Sequence, residues 1–252
     1  MIKLRPHLLP LALSAAALAF IAPPLAAKPD AVAAAVADTA RAEANRKLDE
    51  GRHPAEILAF SGIRRGDVVA DYQAGAGYYS ELIADLVGPK GRVYAMTQPN
   101  FYKPEEWDPI VKAHPQVAPM VAPGLSLVLA PRSVDVIFAH LTYHDLYWVN
   151  EKFEHPAIDV PKFLAGWFAA VKPGGHVIII DHAGNPGDVR ETVDKYHRID
   201  PEQVKADMAA AGFVLEAESA VLRRSEDDHA KLVFDPAVRG KTDRFALKFR
   251  RP

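Results

Sequence analysis

From Val69 to Ile83 the chain reads VADYQAGAGYYSELI, an apolar run that ends on Asp71, two glycines at 75 and 77, and then a stretch of helix formers. Leu82, Ile83, Leu86 and Val87 share one helical face, so the pattern predicts a strand, a tight turn and an amphipathic helix in succession. A strand that hands straight over to a helix belongs to an α/β layer architecture, in which the helix carries the chain back to begin a parallel strand. The turn is also suited to a ligand. Its glycines let backbone N–H groups approach a bound molecule, and the helix N-terminus near Tyr78 adds partial positive charge. The dinucleotide pattern G-x-G-x-x-G is incomplete, because Ser80 holds its third position. Asp71 would repel a pyrophosphate, and the next strand runs into AMTQP without the acid that grips a nicotinamide ribose. A ligand carrying cationic groups meets Asp71 favourably instead, which disfavours a nicotinamide oxidoreductase.

The rest of the chain alternates in the same way. Residues 30–50 are rich in helix formers and predict a helix outside the main sheet that stops at Gly51, and Pro54 opens a second short helix in HPAEILAFSGI. GRVYAM (91–96), SVDVIFAH (133–140) and GGHVIIID (174–181) read as strands, the last introduced by a Lys172-Pro173-Gly174-Gly175 turn. VPKFLAGWFAAV (160–171) reads as a helix, as does DPEQVKADMAAAG (200–212), with Asp200 as N-cap, Pro201 at its first position and Gly212 past its end. The proline-rich segment 99–123 predicts one helix about 104–113 and no further order. FVLEAESAVL (213–222) and RFALKFRR (244–251) supply two final strands with no helix between them, which implies an antiparallel partner at one edge of a mostly parallel sheet. The charge run RRSEDDHAK (223–231) reads as a solvated loop, and Arg46, Asp49 and Arg52 as a surface or docking ion pair.

Residues 1–27 follow another logic. Lys3 and Arg5 precede an almost wholly apolar run over residues 8–22, and APPLAA follows before Lys28. This is the order of a cleaved export signal, and the run falls short of the roughly 20 residues that span a bilayer. The expected organisation is therefore a signal peptide (1–27), N-terminal helices (28–62) and one α/β domain (63–252). The mature protein would be periplasmic or secreted, without stable membrane insertion. A formal net charge of -2 gives no global attraction to nucleic acid. The absence of cysteine excludes disulfides, thiolate metal sites and a cysteine nucleophile.

D-x-x-x-G-x-G after the first strand, GRVYAM in the second, SVDVIFAHLTYHDL in the fourth and VKPGGHVIIIDH in the fifth resemble class I S-adenosylmethionine-dependent methyltransferases. GAGYYSELIADLVGPKGRVYA, DHAG, HRIDPEQVKADMAAAGFVLEAES and RGKTDRFALKFRRP are more closely similar to a group of bacterial predicted methyltransferases that often carry an export signal, over roughly residues 45–252. The resemblance implies a doubly wound, Rossmann-like, seven-stranded sheet with an antiparallel last strand, and methyl transfer from S-adenosyl-L-methionine to a small-molecule acceptor. It implies a cofactor site at Asp71, Gln73, Gly75, Gly77, Tyr78, Thr97 and Gln98. Gln73 stands where such enzymes commonly have their first glycine, and Thr97 where they have a ribose-gripping acid. Those two departures favour the alternative of a non-catalytic periplasmic small-molecule-binding protein on the same fold.

Methyl transfer needs alignment of acceptor and methyl carbon, and a base when the acceptor must lose a proton. The chemistry-bearing residues after the fourth and fifth strands are His140, Tyr143, His144 and Asp145, then Asp181 and His182, with His197 and Arg198 later. Of these, His144, Asp145 and His182 are the catalytic candidates. A metal held by His140 and His144, completed by Asp181 or His182, is weighed and set aside: His140 closes a strand and no H-E-x-x-H pattern is present. Tyr78, Tyr79, Tyr143, Tyr147 and Trp148 form the aromatic set from which an acceptor pocket can be lined.

Overall fold

The computed structural model describes residues 29–122 and 129–252; the leader expected over residues 1–27 lies outside the described residues. Four helices open the described chain: α1 (Pro29–Ala37), α2 (Glu43–Arg46), α3 (Asp49–Arg52) and α4 (Pro54–Ser61). The single helix expected over 30–50 is thus broken. At Asp38 the side chain accepts from Ala40 N at 2.8 Å and the carbonyl from Arg41 N at 3.4 Å, a local turn that competes with helical bonding. Nor does Gly51 stop the segment: α3 continues to Arg52 and ends at His53, whose φ of 45° precedes Pro54.

The sheet has seven strands in the order β3-β2-β1-β4-β5-β7-β6: β1 (Val68–Tyr72), β2 (Arg92–Thr97), β3 (Val117–Val121), β4 (Val134–His140), β5 (Val171–His182), β6 (Val214–Ser219) and β7 (Arg244–Arg250). Strands β1 to β5 run parallel, and β7 lies antiparallel between β5 and β6. Helices α5 (Tyr78–Val87), α6 (Pro104–Ala113), α7 (Val160–Ala170), α8 (Val189–Tyr196) and α9 (Pro201–Ala210) complete the doubly wound fold. Sequence reading left β3 and α8 unassigned. The former is short and holds Pro119; the latter is polar, and its cap Asp188 accepts from Glu191 N at 2.9 Å.

Strand periodicity divides the core. Val69, Phe138 and Ile178 face Leu82, Ile83 and Val87 of α5 and Ile57 and Leu58 of α4. Ala70, Ile137 and Ile179 face Leu164 and Trp167 of α7 and Val204 and Met208 of α9. Each buried leucine or isoleucine contributes about 1.5–3 kcal/mol. The glycine turn expected to introduce β5 lies inside it. Val171 pairs with Val134, the ladder resumes at His176 opposite Val136, and residues 172–175 bulge out with Gly174 at φ 78°. The strand order reverses between β1 and β4, and the carboxyl ends of that pair open into a crevice, the usual ligand position in such sheets.

Candidate functional site

A cavity of about 220 Å³ fills the crevice. Asp71 and Gln73 line it from the end of β1, Gly75 from the turn, Tyr78 and Tyr79 from α5, and His140 and Leu141 from the end of β4. Asp71 is 2% exposed and accepts a 2.6 Å hydrogen bond from Ser80 Oγ. The residue that breaks the dinucleotide pattern therefore holds the strand-end carboxyl. Burial pushes the Asp71 carboxyl up to about 7, against the opposing effects of Ser80 and Arg52.

The two glycines have different surroundings. Both have positive φ, 57° at Gly75 and 79° at Gly77. A Cβ on Gly75 would meet nothing within 4 Å, whereas one on Gly77 would lie 2.5 Å from Ile110 Cδ1 and 3.2 Å from the Trp107 ring. Gly75 leaves the turn open to the cavity. Gly77, expected to border the ligand, lines neither this cavity nor the next, and its bare Cα allows α6 to pack on the start of α5. A second cavity of about 190 Å³ continues past the turn, bounded by Gln73, Gly75, Thr97, Gln98, Asp145 and Trp148 among others. Gln98 Nε2 donates to Gln73 Oε1 at 2.9 Å, so the two amides bridge the ends of β1 and β2. Gln73 adopts φ 52°, the left-handed conformation that a glycine at this position would hold without cost.

The histidines after β4 and β5 share one carboxylate. Asp181, fully buried, is 2.8 Å from His144 Nδ1, accepts from His144 N at 2.8 Å, and accepts from His182 N at 2.7 Å. Burial opposes charge on His144, but Asp181 and Asp145 outweigh it and hold the imidazolium up to about 9. His182 Nδ1 is 2.7 Å from Thr242 Oγ1, and burial together with Arg244 keeps that ring well below the ordinary histidine value. Asp145 borders the second cavity and His182 a third, while His144 is buried between them. The pair His140 and His144 does not assemble: His140 borders the first cavity with its ring 4.7 Å from that of Tyr79. His144, Asp145 and His197 do come together, each with one possible ligand atom within 4.8 Å of the others, but the imidazolium charge on His144 opposes a cation there.

Other expectations need correction. Asp49 pairs with the buried Arg41 (2.8 and 2.9 Å) rather than with Arg46 or Arg52. Arg52 lies over the Tyr78 ring at 4.2 Å, and the Tyr78 hydroxyl donates to Asp49 at 2.7 Å. Arg198 is fully buried and grips Asp227 through both terminal nitrogens, at 2.9 and 3.1 Å, so the 223–231 run is anchored at its centre rather than freely solvated. Tyr143 and Tyr147 donate to Asp207 of α9 and line none of the three cavities. Asn45, Leu48 and Arg52 from the N-terminal helices wall the first cavity, and Arg244 from β7 walls the third. Sequence reading missed Asn45, Leu48 and Arg244 as site residues, because only tertiary docking brings them to the crevice.

This architecture is shared with known structures. The chain is similar to a SAM-dependent methyltransferase from Aquifex aeolicus, with 21% identity and TM-score 0.57 over 89% of this chain and 99% of that one. It is similar to an S-adenosylmethionine-dependent methyltransferase from Mesorhizobium loti, with 16% identity and TM-score 0.56 over 81% and 100% of the two chains. It is also similar to the [4+2]-cyclase SpnF, with 15% identity and TM-score 0.53 over 86% of each chain. At these identities the likeness is one of fold. No protein-family model and no curated protein matches the sequence.

Proposed function

We propose that the protein transfers a methyl group from S-adenosyl-L-methionine to a small-molecule acceptor. The observation that carries this reading is the β1–β4 crevice, where Asp71 lies at one wall of an open glycine turn. The donor set suits a cationic nucleoside: Asp71 offers negative charge, the Gly75 turn unobstructed backbone, and Thr97 and Gln98 neutral hydrogen-bonding groups in the adjoining cavity. Gln73 and Tyr78 complete the proposed binding set. The fold of the Aquifex and Mesorhizobium methyltransferases supports the same assignment. When bound, the cofactor supplies an activated methyl group. His182, kept neutral, is assigned the acceptor's proton; His144 stands beside it, 3.3 Å from Asp145 and positioned by Asp181 at 2.8 Å.

Calorimetric titration with S-adenosylhomocysteine tests the site. Wild-type protein should bind, and Asp71→Asn should weaken binding about tenfold through loss of one charge contact. Mass-spectrometric detection of methylated products from a pool of small acceptors tests turnover, which His182→Ala should slow more than it weakens cofactor binding. Equal affinity in wild type and Asp71→Asn would move the cofactor elsewhere.

A non-catalytic binding protein is the second reading, favoured by Thr97 and by a Gln98 amide already engaged by Gln73. A fold shared with a [4+2]-cyclase also shows that the architecture does not by itself fix the chemistry. Thr97→Asp should tighten S-adenosylhomocysteine binding by about 1 kcal/mol if this position faces the ribose. Uptake of cofactor without any methylated product would support the second reading. Export is proposed from the leader alone, and mature protein beginning near Lys28 in the periplasm would bear it out. No helix among the described residues is long and apolar enough to cross a membrane.

A further inference from the structure

The third cavity, of about 550 Å³, shares Leu48, Arg52 and Leu141 with the first. Its charge is one-sided. Arg52 of α3, Arg224 of the loop after β6 and Arg244 at the start of β7 all border it, with Arg239 and Lys241 at exposed positions and Glu50 as the acid among its lining residues. The other deeply buried arginines of the described chain are each neutralised by a bidentate carboxylate: Arg41 by Asp49 and Arg198 by Asp227. Arg244 is 5% exposed and has no such partner; its guanidinium donates to Gly51 O at 3.0 Å and Thr242 Oγ1 at 3.2 Å. Arg52 and Arg224 likewise form no ion pair among the described residues. The carboxyls that face these guanidiniums without pairing with them are Asp71 and Asp49 toward Arg52 and Asp181 toward Arg244. Burial, with Arg52 and Arg224 beside it, brings the Arg244 guanidinium down to about 10. A buried, unpaired cation is costly to a fold unless something brings the opposite charge. Leu141, Val233 and Phe234 add an apolar wall.

We propose that this cavity is the acceptor site and takes a small organic anion, a carboxylate or phosphate monoester on an apolar body, bound through Arg244, Arg224 and Arg52. The guanidinium fork matches the paired oxygens of either anion, and the apolar wall receives the body. The neutral ring of His182 borders the same space. The assignment as acceptor site rests on the methyl-transfer reading; the preference for an anion does not.

Calorimetric titration of the purified protein with phenyl phosphate, benzoate and the neutral benzyl alcohol tests the proposal. At least one anion should bind more than about tenfold tighter than benzyl alcohol, less tightly as salt rises, and the stronger of the two identifies the anion class. Arg244→Gln and Arg224→Gln should each weaken that binding about tenfold, with little effect on benzyl alcohol. Arg224 is partly exposed and its side chain makes no internal hydrogen bond among the described residues, so its variant answers the question even if Arg244→Gln fails to fold. Anions that bind no better than benzyl alcohol, or that bind Arg224→Gln as tightly as wild type, overturn the proposal. A parallel titration with S-adenosylhomocysteine separates the two readings. Cofactor binding without anion preference removes the anion site alone, whereas anion preference without cofactor binding keeps the anion site and removes its role as an acceptor pocket.

Discussion

Gly75 and Gly77 are separated by one residue and differ in what a side chain would cost. Alanine at either position meets the strain of a positive φ, about 1 kcal/mol. At Gly77 it also displaces Ile110 and presses on Trp107. Urea unfolding should therefore place Gly77→Ala about 2 kcal/mol below Gly75→Ala in stability, and the larger loss at Gly75 would refute the packing account. Asp71 gives a pH dependence of opposite sign for folding and for binding. Its folded carboxyl, near 7, lies above the unfolded value of 3.8, so the stability it contributes is complete below about 3.8 and is lost as pH rises through 7. The full shift corresponds to about 4 kcal/mol at most, and Asp71→Asn should flatten the decline in unfolding measurements over that range. A cationic ligand prefers the ionised form, so its affinity should rise over the same interval. At this scale the sequence discloses residue chemistry more readily than direction: Asp71 was recognisable as the strand-end acid, but the side on which Gly77 is crowded depends on α6, whose packing no local pattern reports.

Arg41 ties the loop after α1 and helix α3 to α5. Arg41, 4% exposed, donates to Asp49 twice, to Glu81 of α5 at 3.2 Å and to Val36 O at 2.9 Å, and Asn45 reaches the same Glu81 oxygen at 3.1 Å. Arg41→Met should cost about 3 kcal/mol, because it strands Glu81 and part of Asp49 away from water. Hydrogen exchange should then show protection lost across residues 41–52 and kept in α4, β4 and β5, with weaker S-adenosylhomocysteine binding as Asn45, Leu48 and Arg52 leave the cavity wall. Uniform loss across the sheet would mean that these helices are not a separable unit. Strands and long helices were legible because their hydrophobic spacing is a local property. The break at Asp38 was not, since one side-chain hydrogen bond to Ala40 N outcompetes a run of good helix formers. Polar α8 escaped for the complementary reason, having a cap but little apolar face.

On the scale of the molecule, alternating strands and helices conveyed the layer architecture, and resemblance supplied the strand count. Neither showed that Arg244 would meet Gly51, 193 positions earlier, at the rim of a cavity. That meeting depends on where β7 sits. It is made after β6 yet enters the sheet between β5 and β6, and β6 reaches its neighbours only through it. β6 therefore cannot pair into the sheet before β7 does. A nascent chain that has emerged only as far as Asp243 holds β5 with an unpaired edge, and β6 with no strand to pair with. A chain stopped after Asp243 should be recovered in aggregates rather than as soluble monomer, because residues 244–250 also supply Phe245, Leu247 and Phe249 to the core. The same insertion brings Arg244 to its cavity beside Arg52 and Arg224, so the strand that seals the sheet also adds the last, buried cation to a pocket whose other cations lie earlier in the chain.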